Sequence, residues 1–213
     1  TLAWALTANM DDGPEKLHRL RLLQRATNMS YAHLVTPDGG AIHHACDHIS
    51  YASYSMDEVI GLAVKLYGTP FQLADEVYRN LKAYAWAHGL STIRSHYPGN
   101  LCARVGLGTM DINVAKWLHA MADMTEPPDR DLAAMYVAKF GHNTNGVIGE
   151  TVQRYRDEGI EPFDMNAHHS YNISAAAIHR RGDWLATIDG SREPIKAIEL
   201  YAWPGTPRSF MPN

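Results

Sequence analysis

The sequence has only two cysteines, Cys46 and Cys102, among its 213 residues. Two cysteines allow at most one bridge, which excludes a domain held together by several disulfides. Long apolar runs are also missing, because no stretch approaches the roughly 18 to 20 residues of a membrane-spanning helix. A formal net charge of −4 at pH 7 gives no general reason to expect nucleic acid or an anionic membrane as partner.

Apolar residues make up 46% of the chain, which is enough to bury a core, and many of them recur at helical spacing. The clearest pattern runs from Pro14 to Leu34, where an early proline begins an amphipathic helix. Further helices are expected over residues 57–66, 71–88, 111–122, 129–139 and 147–156, with Gly89 ending the third and Pro127-Pro128 separating two others.

The texture of the sequence changes after Pro162. The segment YNISAAAIHRRGDWLATIDG carries short apolar runs around Gly-Asp and Asp-Gly turns, and PIKAIELYAW alternates apolar and polar residues. Both patterns are typical of strands. The order predicts an α+β chain, with a helical portion over residues 1–160 and the beginning of a β-sheet domain over 161–213.

The segment HHACDHISYASYS, residues 43–55, is unusually rich in groups that could carry chemistry. On a helix, His44 and His48 would share a face and could hold zinc beside Asp47 or Cys46. Against this interpretation, no glutamate follows the first histidine, and neither Gly39-Gly40 before the segment nor Ser50-Tyr51 within it favours a helix. A metal-dependent hydrolase stays an alternative, with His43, His44, Asp47 and His48 as its cluster.

The same segment could instead supply an acid and a base. Imidazole serves near neutral pH, whereas a phenol with a reference pKa of about 10 needs a positive charge nearby. Arg94 is the leading candidate for that charge, because it lies in the polar segment STIRSHYPGN after a long helix. Taken singly, these residues have ordinary explanations: Tyr51 and Tyr54 as aromatic packing, and Glu199 as the solvent-facing position of a strand.

Taken together, the motifs resemble the polysaccharide lyases that cleave glycosaminoglycans by β-elimination, the chondroitin and hyaluronate lyases, most closely the chondroitin sulfate ABC lyases. The similarity runs from about residue 39 to about residue 203. The matching pieces, in order, are HH with DHISYASYS, GTPFQLADEVYRNLKAYAWAHGL, TIRSHYPGN, IGET, AAAIHRRGDWLATI and AIELYAW. The most specific are IHRRGDW and the paired His/Tyr segment.

The resemblance implies a role for each matching residue. His48, Tyr54, Arg94 and Glu199 match the catalytic positions. The residues expected to contact substrate are His43, His44, Tyr51, His96 and Asn100. Asn28, His43 and His44 are candidates for neutralising the substrate carboxylate. No metal ligand or cofactor is assigned, although a divalent cation such as calcium is left open.

The resemblance also implies an architecture and a setting. The helices would form part of an incomplete α/α toroid, and the strands would begin an antiparallel β-sandwich. The chain looks like the catalytic middle of a longer bacterial enzyme, secreted or periplasmic, acting on an acidic polysaccharide and on neither nucleic acid nor a membrane. Because the spacer between His48 and Tyr54 is one residue shorter than in the family, a carbohydrate-binding relative without elimination activity is a second alternative.

Overall fold

The structure is a computed structural model of the chain. It describes residues 2–43, 46–47, 49–92, 113–173, 176–182 and 184–189, with backbone alone for 42–43, 46–47, 49–54 and 189. The helices in these ranges are α1 (Leu2–Ala8), α2 (Pro14–Leu34), α3 (Ile49–Leu66), α4 (Asp75–Ser91), α5 (Val114–Ala122), α6 (Arg130–Phe140) and α7 (Gly146–Asp157). None of these helices is long and apolar enough to cross a membrane.

Helix α2 begins at Pro14 and ends at Leu34, as the sequence predicts. The predicted start of the next helix at residue 57 was wrong, because α3 already begins at Ile49. Its later turns bury Met56, Ile60 and Ala63 on one face. Packing of such a face outweighs the middling helix propensity of the serines and tyrosines that precede it. Tyr51 and Tyr54 therefore belong to a helix.

Gly89 does not end α4, contrary to expectation, since the helix continues through it to Ser91. A Cβ atom at Gly89 would lie 2.6 Å from Met135 Cγ on α6. The missing side chain of Gly89 therefore allows α4 and α6 to approach closely. The ability of glycine to adopt a positive φ is not used at this position. The helix stops at Thr92, whose backbone is extended with φ −96° and ψ 138°.

Helix α4 is the centre of the helical part, and it packs against α2, α5 and α6. Trp117 on α5 is fully buried, and its Nε1 donates a hydrogen bond of 2.5 Å to Asp57 Oδ1 on α3. Helix α6 begins where Asp129 accepts hydrogen bonds from the backbone of Asp131 and Leu132. The cap explains why α6 begins so close to the position that the sequence predicts.

The strands form two antiparallel sheets in the described ranges. A short hairpin pairs β1 (Ile42–His43) with β2 (Cys46–Asp47), and a three-stranded sheet has the order β3 (Ala167–Tyr171), β4 (Ala176–Arg181), β5 (Trp184–Asp189). Helices followed by this sheet confirm the α+β class. The predicted strand in PIKAIELYAW lies outside the described residues.

One face of β4 packs onto the helical core. Ala176, Ile178 and Arg180 alternate with more exposed neighbours, and Ile178 belongs to the same cluster of buried side chains as α4 and α5. Gly182 has φ +54° in the turn to β5, a conformation that glycine adopts at little cost. The turn directly follows Arg180 and Arg181, which point to opposite faces because side chains alternate along a strand.

Candidate functional site

Most of the predicted site residues lie outside the described residues: His44, His48, Arg94, His96, Asn100 and Glu199. The backbone alone is described for His43 in β1 and for Tyr51 and Tyr54 in α3. The convergence of the four catalytic side chains on one cleft therefore stays a prediction. The structure does describe the framework next to these residues, namely the turn at residues 36–40, helix α4 and the three-stranded sheet.

The helical arrangement on which the zinc hypothesis depended does not form in this segment. Cys46 and Asp47 are a strand that pairs with Ile42 and His43, so a helix cannot run from His44 to His48. The described residues elsewhere also contain no group of three or more histidine, cysteine or acidic side chains arranged to hold a metal ion.

The chain enters the histidine-rich segment through a tightly held turn at residues 36–40. The amide of Thr36 donates to the carbonyl of Gly40 at 2.9 Å, and the Asp38 carboxylate accepts from the Thr36 hydroxyl and, at 3.3 Å, from the amide of Ile173. His169 Nε2 on β3 lies 2.6 Å from the Asp38 carbonyl oxygen. The turn is thereby tied to the sheet.

The same turn is pressed against α4. Gly39 has φ +81°, and a Cβ atom there would lie 2.5 Å from the Ala83 carbonyl and 2.7 Å from Ala87 Cβ. Asn80 also donates a hydrogen bond of 2.8 Å to the carbonyl of Val35, just ahead of the turn. The residues that lead into His43 are therefore fixed by both α4 and the sheet.

Two buried cations meet at the other end of this framework, where α4 stops. Arg180 Nη1 donates to the carbonyl oxygens of Leu90 at 2.9 Å and Thr92 at 2.7 Å. Lys139 Nζ from α6 donates to the same Thr92 oxygen at 2.8 Å. Burial, helped by the charge of Arg180, lowers the pKa of Lys139 to about 7. Thr92 is the last described residue before the segment that carries Arg94.

The motif IHRRGDW thus has a structural explanation in part. Arg180 also donates from Nε to the Gly182 carbonyl at 2.9 Å, so the β4–β5 turn holds the guanidinium in place. Sequence reasoning missed this anchor. The signal was available, since Ile178 and Arg180 are two apart in a strand and must face the same side.

A histidine in the core, His88, is suited to packing and not to acid/base chemistry. Its ring lies 4.0 Å from the Tyr84 ring and 6.1 Å from the Trp117 ring, centroid to centroid. Complete burial lowers its pKa to about 3. The imidazole is therefore neutral at physiological pH and shut off from any substrate.

A cleft of about 460 Å³ opens on the outer face of α4, beside the turn at 36–40. It is lined by Pro37, Asp38, Arg79, Lys82, Ala83, Trp86, Asp131, Phe163 and His169. The Trp86 ring lies 5.6 Å from both the Phe163 and His169 rings, at steep angles to each. Aromatic rings joined by a few polar groups are typical of small-ligand sites.

The charges in this cleft nearly balance. Lys82 is held by Asp129 at 2.6 Å and by Asp131 at 3.2 Å. Within the described ranges Arg79 is exposed and forms no ion pair, which makes its guanidinium the group most accessible to an anionic ligand. The cleft therefore combines an accessible positive charge with aromatic surface.

A second cleft, of about 590 Å³, lies between α1, α3 and α5. Two carboxylates line it, and one of them, Asp57, accepts from Trp117 Nε1 through one oxygen and from Asn113 Nδ2, at 2.6 Å, through the other. Both oxygens are engaged in joining α3 to α5, which indicates a structural role.

Comparison with models of protein families gives no match, and comparison with curated proteins gives none either. The resemblance to the lyases therefore stays a prediction from the motifs, above all the His48–Tyr54 segment and IHRRGDW.

Proposed function

We propose that the protein is a lyase that cleaves a uronic-acid-containing polysaccharide, such as chondroitin, dermatan sulfate or hyaluronan, by β-elimination. One observation supports this best: the described ends of the two segments that carry the predicted catalytic residues both lie against the C-terminal half of α4. The turn before His43 packs on Ala83 and Ala87, and Thr92 before Arg94 ends the helix.

The proposed chemistry needs three groups. A base removes the proton at C5 of the uronate, the bond from C4 to O4 breaks, and a double bond forms between C4 and C5 while O4 takes up a proton. Charge that develops on the carboxylate must also be neutralised. One side chain can serve as base and then as acid if it faces both atoms.

In this proposal Tyr54 is that side chain for one C5 epimer, and His48 is the base for the epimer whose proton lies on the opposite ring face. Arg94 supplies the positive charge that favours the ionised phenol. Glu199 orients the arginine or the tyrosine through a charge-assisted hydrogen bond. The backbone of Tyr54 lies in α3, a helix of eighteen residues.

The finer architecture belongs to the same proposal. The helices α1 to α7 would be part of an α/α toroid, and β3 to β5 would begin an antiparallel β-sandwich. The enzyme would meet its polymeric substrate outside the cytoplasm.

A second candidate function is saccharide binding without elimination. It is favoured by the cleft of Trp86, Phe163 and Arg79, which offers aromatic surface and an accessible guanidinium on described residues. This function would need none of the four predicted catalytic side chains.

The test is to incubate the full chain with chondroitin, dermatan sulfate and hyaluronan and to follow the ultraviolet absorbance of the new C4–C5 double bond. Tyr54→Phe should abolish turnover while oligosaccharide binding persists, because the ring is kept and only the hydroxyl is lost. Tyr67→Phe, at an exposed tyrosine beyond the end of α3, is the matched control and should be fully active.

The alternatives give different results. Full activity of Tyr54→Phe would overturn the tyrosine mechanism. Binding without any unsaturated product from the parent protein would favour the binding function. Loss of activity with a chelator, together with a stoichiometric metal ion, would instead favour the hydrolase centred on the histidine cluster.

A further inference from the structure

The carbonyl oxygen of Thr92 accepts hydrogen bonds from two cations that come from different parts of the chain. Arg180 reaches it from β4 at 2.7 Å and Lys139 from α6 at 2.8 Å. Arg180 is 6% exposed and Lys139 is 9% exposed, so both charges are withdrawn from water. No carboxylate of the described residues forms an ion pair with Lys139 within 4 Å.

Burying a second positive charge beside the Arg180 guanidinium is costly unless the site compensates it. This cost lowers the pKa of Lys139 to about 7, so its amine is only partly protonated near neutral pH and the guanidinium is the permanent charge of the pair. The C-terminal end of α4 provides such compensation, because the last carbonyl groups of a helix lack backbone partners and carry partial negative charge. Arg180 satisfies two of these acceptors, on Leu90 and Thr92. One glycine or water would be enough to cap a helix end. Two long side chains from different elements also restrict the position of this helix end relative to β4 and α6.

The residue fixed in this way lies two positions before Arg94. Two residues of extended chain span at most about 7 Å, so the place of the Thr92 backbone limits where the backbone of Arg94 can be. We propose that Arg180 and Lys139 are positioning residues that hold the origin of the Arg94 segment. This inference rests on the proposed function, in which Arg94 polarises the phenol of Tyr54.

The expected consequence is geometric. Without these two side chains the end of α4 can shift, and with it the point from which the chain continues toward Arg94. Misplacing a catalytic group by about 1 Å can reduce turnover about a hundredfold. The phenol would also lose part of the positive charge that favours its ionised form, so the pH–rate profile should move to higher pH.

The chain offers a matched control, because Arg181 is the next residue of β4 and is exposed. The variants are Arg180→Met, Lys139→Met, the double variant and Arg181→Met, each made in the full chain. Thermal unfolding of each variant measures the fraction of folded protein at the assay temperature, so that turnover can be expressed per folded molecule. Amide hydrogen exchange is measured over the last turn of α4, and turnover of a uronate polymer is measured as a function of pH.

Arg180→Met should speed exchange at the last turn of α4, reduce kcat about a hundredfold with a smaller change in KM, and move the acidic side of the pH–rate profile upwards. Lys139→Met should do the same more weakly, since it removes one hydrogen bond to this helix end and not two. The double variant should lose less than the sum, because both side chains act on one oxygen. Arg181→Met should match the parent.

Failure of this inference and failure of the proposed function give different results. If the parent produces no unsaturated uronate, the lyase function is wrong, and unchanged exchange in Arg180→Met would then overturn the anchor as well. If the parent is active, either of two results would overturn the positioning role alone. One is unchanged hydrogen exchange at the last turn of α4 in Arg180→Met. The other is a loss of folded protein in that variant while kcat per folded molecule and the pH–rate profile stay those of the parent.

Discussion

The hydroxyl oxygens of Ser91 and Tyr171 lie 2.8 Å apart in the core, and their hydrogen bond joins the last turn of α4 to the first strand of the three-stranded sheet. Ser91 Oγ also donates to the carbonyl of Ala87 at 2.5 Å, so its only hydrogen is committed there. Tyr171 is therefore the donor between the two hydroxyl groups. The helical part and the sheet meet through a directed polar contact as well as through apolar packing.

Tyr171→Phe should lower the free energy of unfolding by about 1 kcal/mol, since the buried ring is kept and one hydrogen bond is lost. Tyr171→Ala should cost about 3 to 5 kcal/mol, because it also empties the ring's place in the core. Urea unfolding at neutral pH measures both. Equal losses in the two variants would show that the ring contributes nothing.

Acid should destabilise the fold through His88. Its folded-state pKa of about 3 is below the ordinary value of about 6.5, so the unfolded chain binds a proton that the folded chain excludes. Stability is therefore complete above about pH 6.5 and falls as the pH drops from there toward 3. Burial lowers the pKa of His169 in the same direction.

Urea unfolding at several values between pH 7.5 and 4 provides the measurement. His88→Phe should flatten the dependence, and His142→Gln, at an exposed histidine, should leave it unchanged. An equally steep loss of stability in His88→Phe would contradict the assignment.

Lys139 should give a second pH dependence on the alkaline side. Its pKa is lowered to about 7 in the fold, chiefly by burial, while an unfolded lysine titrates near 10.4. The unfolded state therefore binds more protons between these values, and stability rises as the pH increases from about 7 to about 10. Relative to the parent, Lys139→Met should become less stable over that range. A difference that does not vary with pH would mean that the buried amine keeps its ordinary pKa.

Gly89→Ala should destabilise the protein by about 1 to 3 kcal/mol, although alanine usually favours a helix. The added methyl group would meet Met135 Cγ at 2.6 Å and force α4 and α6 to adjust. Gly61→Ala is the control, because a Cβ atom on Gly61 in α3 has nothing within 4 Å. That variant should be more stable than the parent by roughly 0.5 to 1 kcal/mol. Chemical denaturation of both variants separates propensity from packing.

Local patterns predicted those elements whose ends are set by local groups. Helix α2 has its proline at the first turn, and α6 has an aspartate cap one residue ahead of it, so both starts could be read closely. The early start of α3 and the continuation of α4 through Gly89 depend on tertiary packing. Neither feature can be predicted from the spacing of apolar residues or from helix propensity.

The candidate site divides in the same way. The resemblance identifies Tyr54, His48, Arg94 and Glu199 by their motifs. Their side chains are not among those that the structure describes, so their convergence on one cleft stays a prediction. The cations Arg180 and Lys139 went unnoticed because their partners are backbone oxygens about 90 and 47 residues away. A carbonyl acceptor has no signature in the sequence, whereas the inward face of a strand does.

The contact of Gly39 with Ala87 implies that the sizes of these two residues cannot vary independently. The turn lies so close to α4 that a methyl group on residue 39 would overlap both the backbone carbonyl of Ala83 and the Cβ atom of Ala87. A library randomised at positions 39 and 87 and selected for folded protein should therefore return small residues together. A bulky residue at 87 would have to be matched by a rebuilt turn, which would shift the chain that leads to His43.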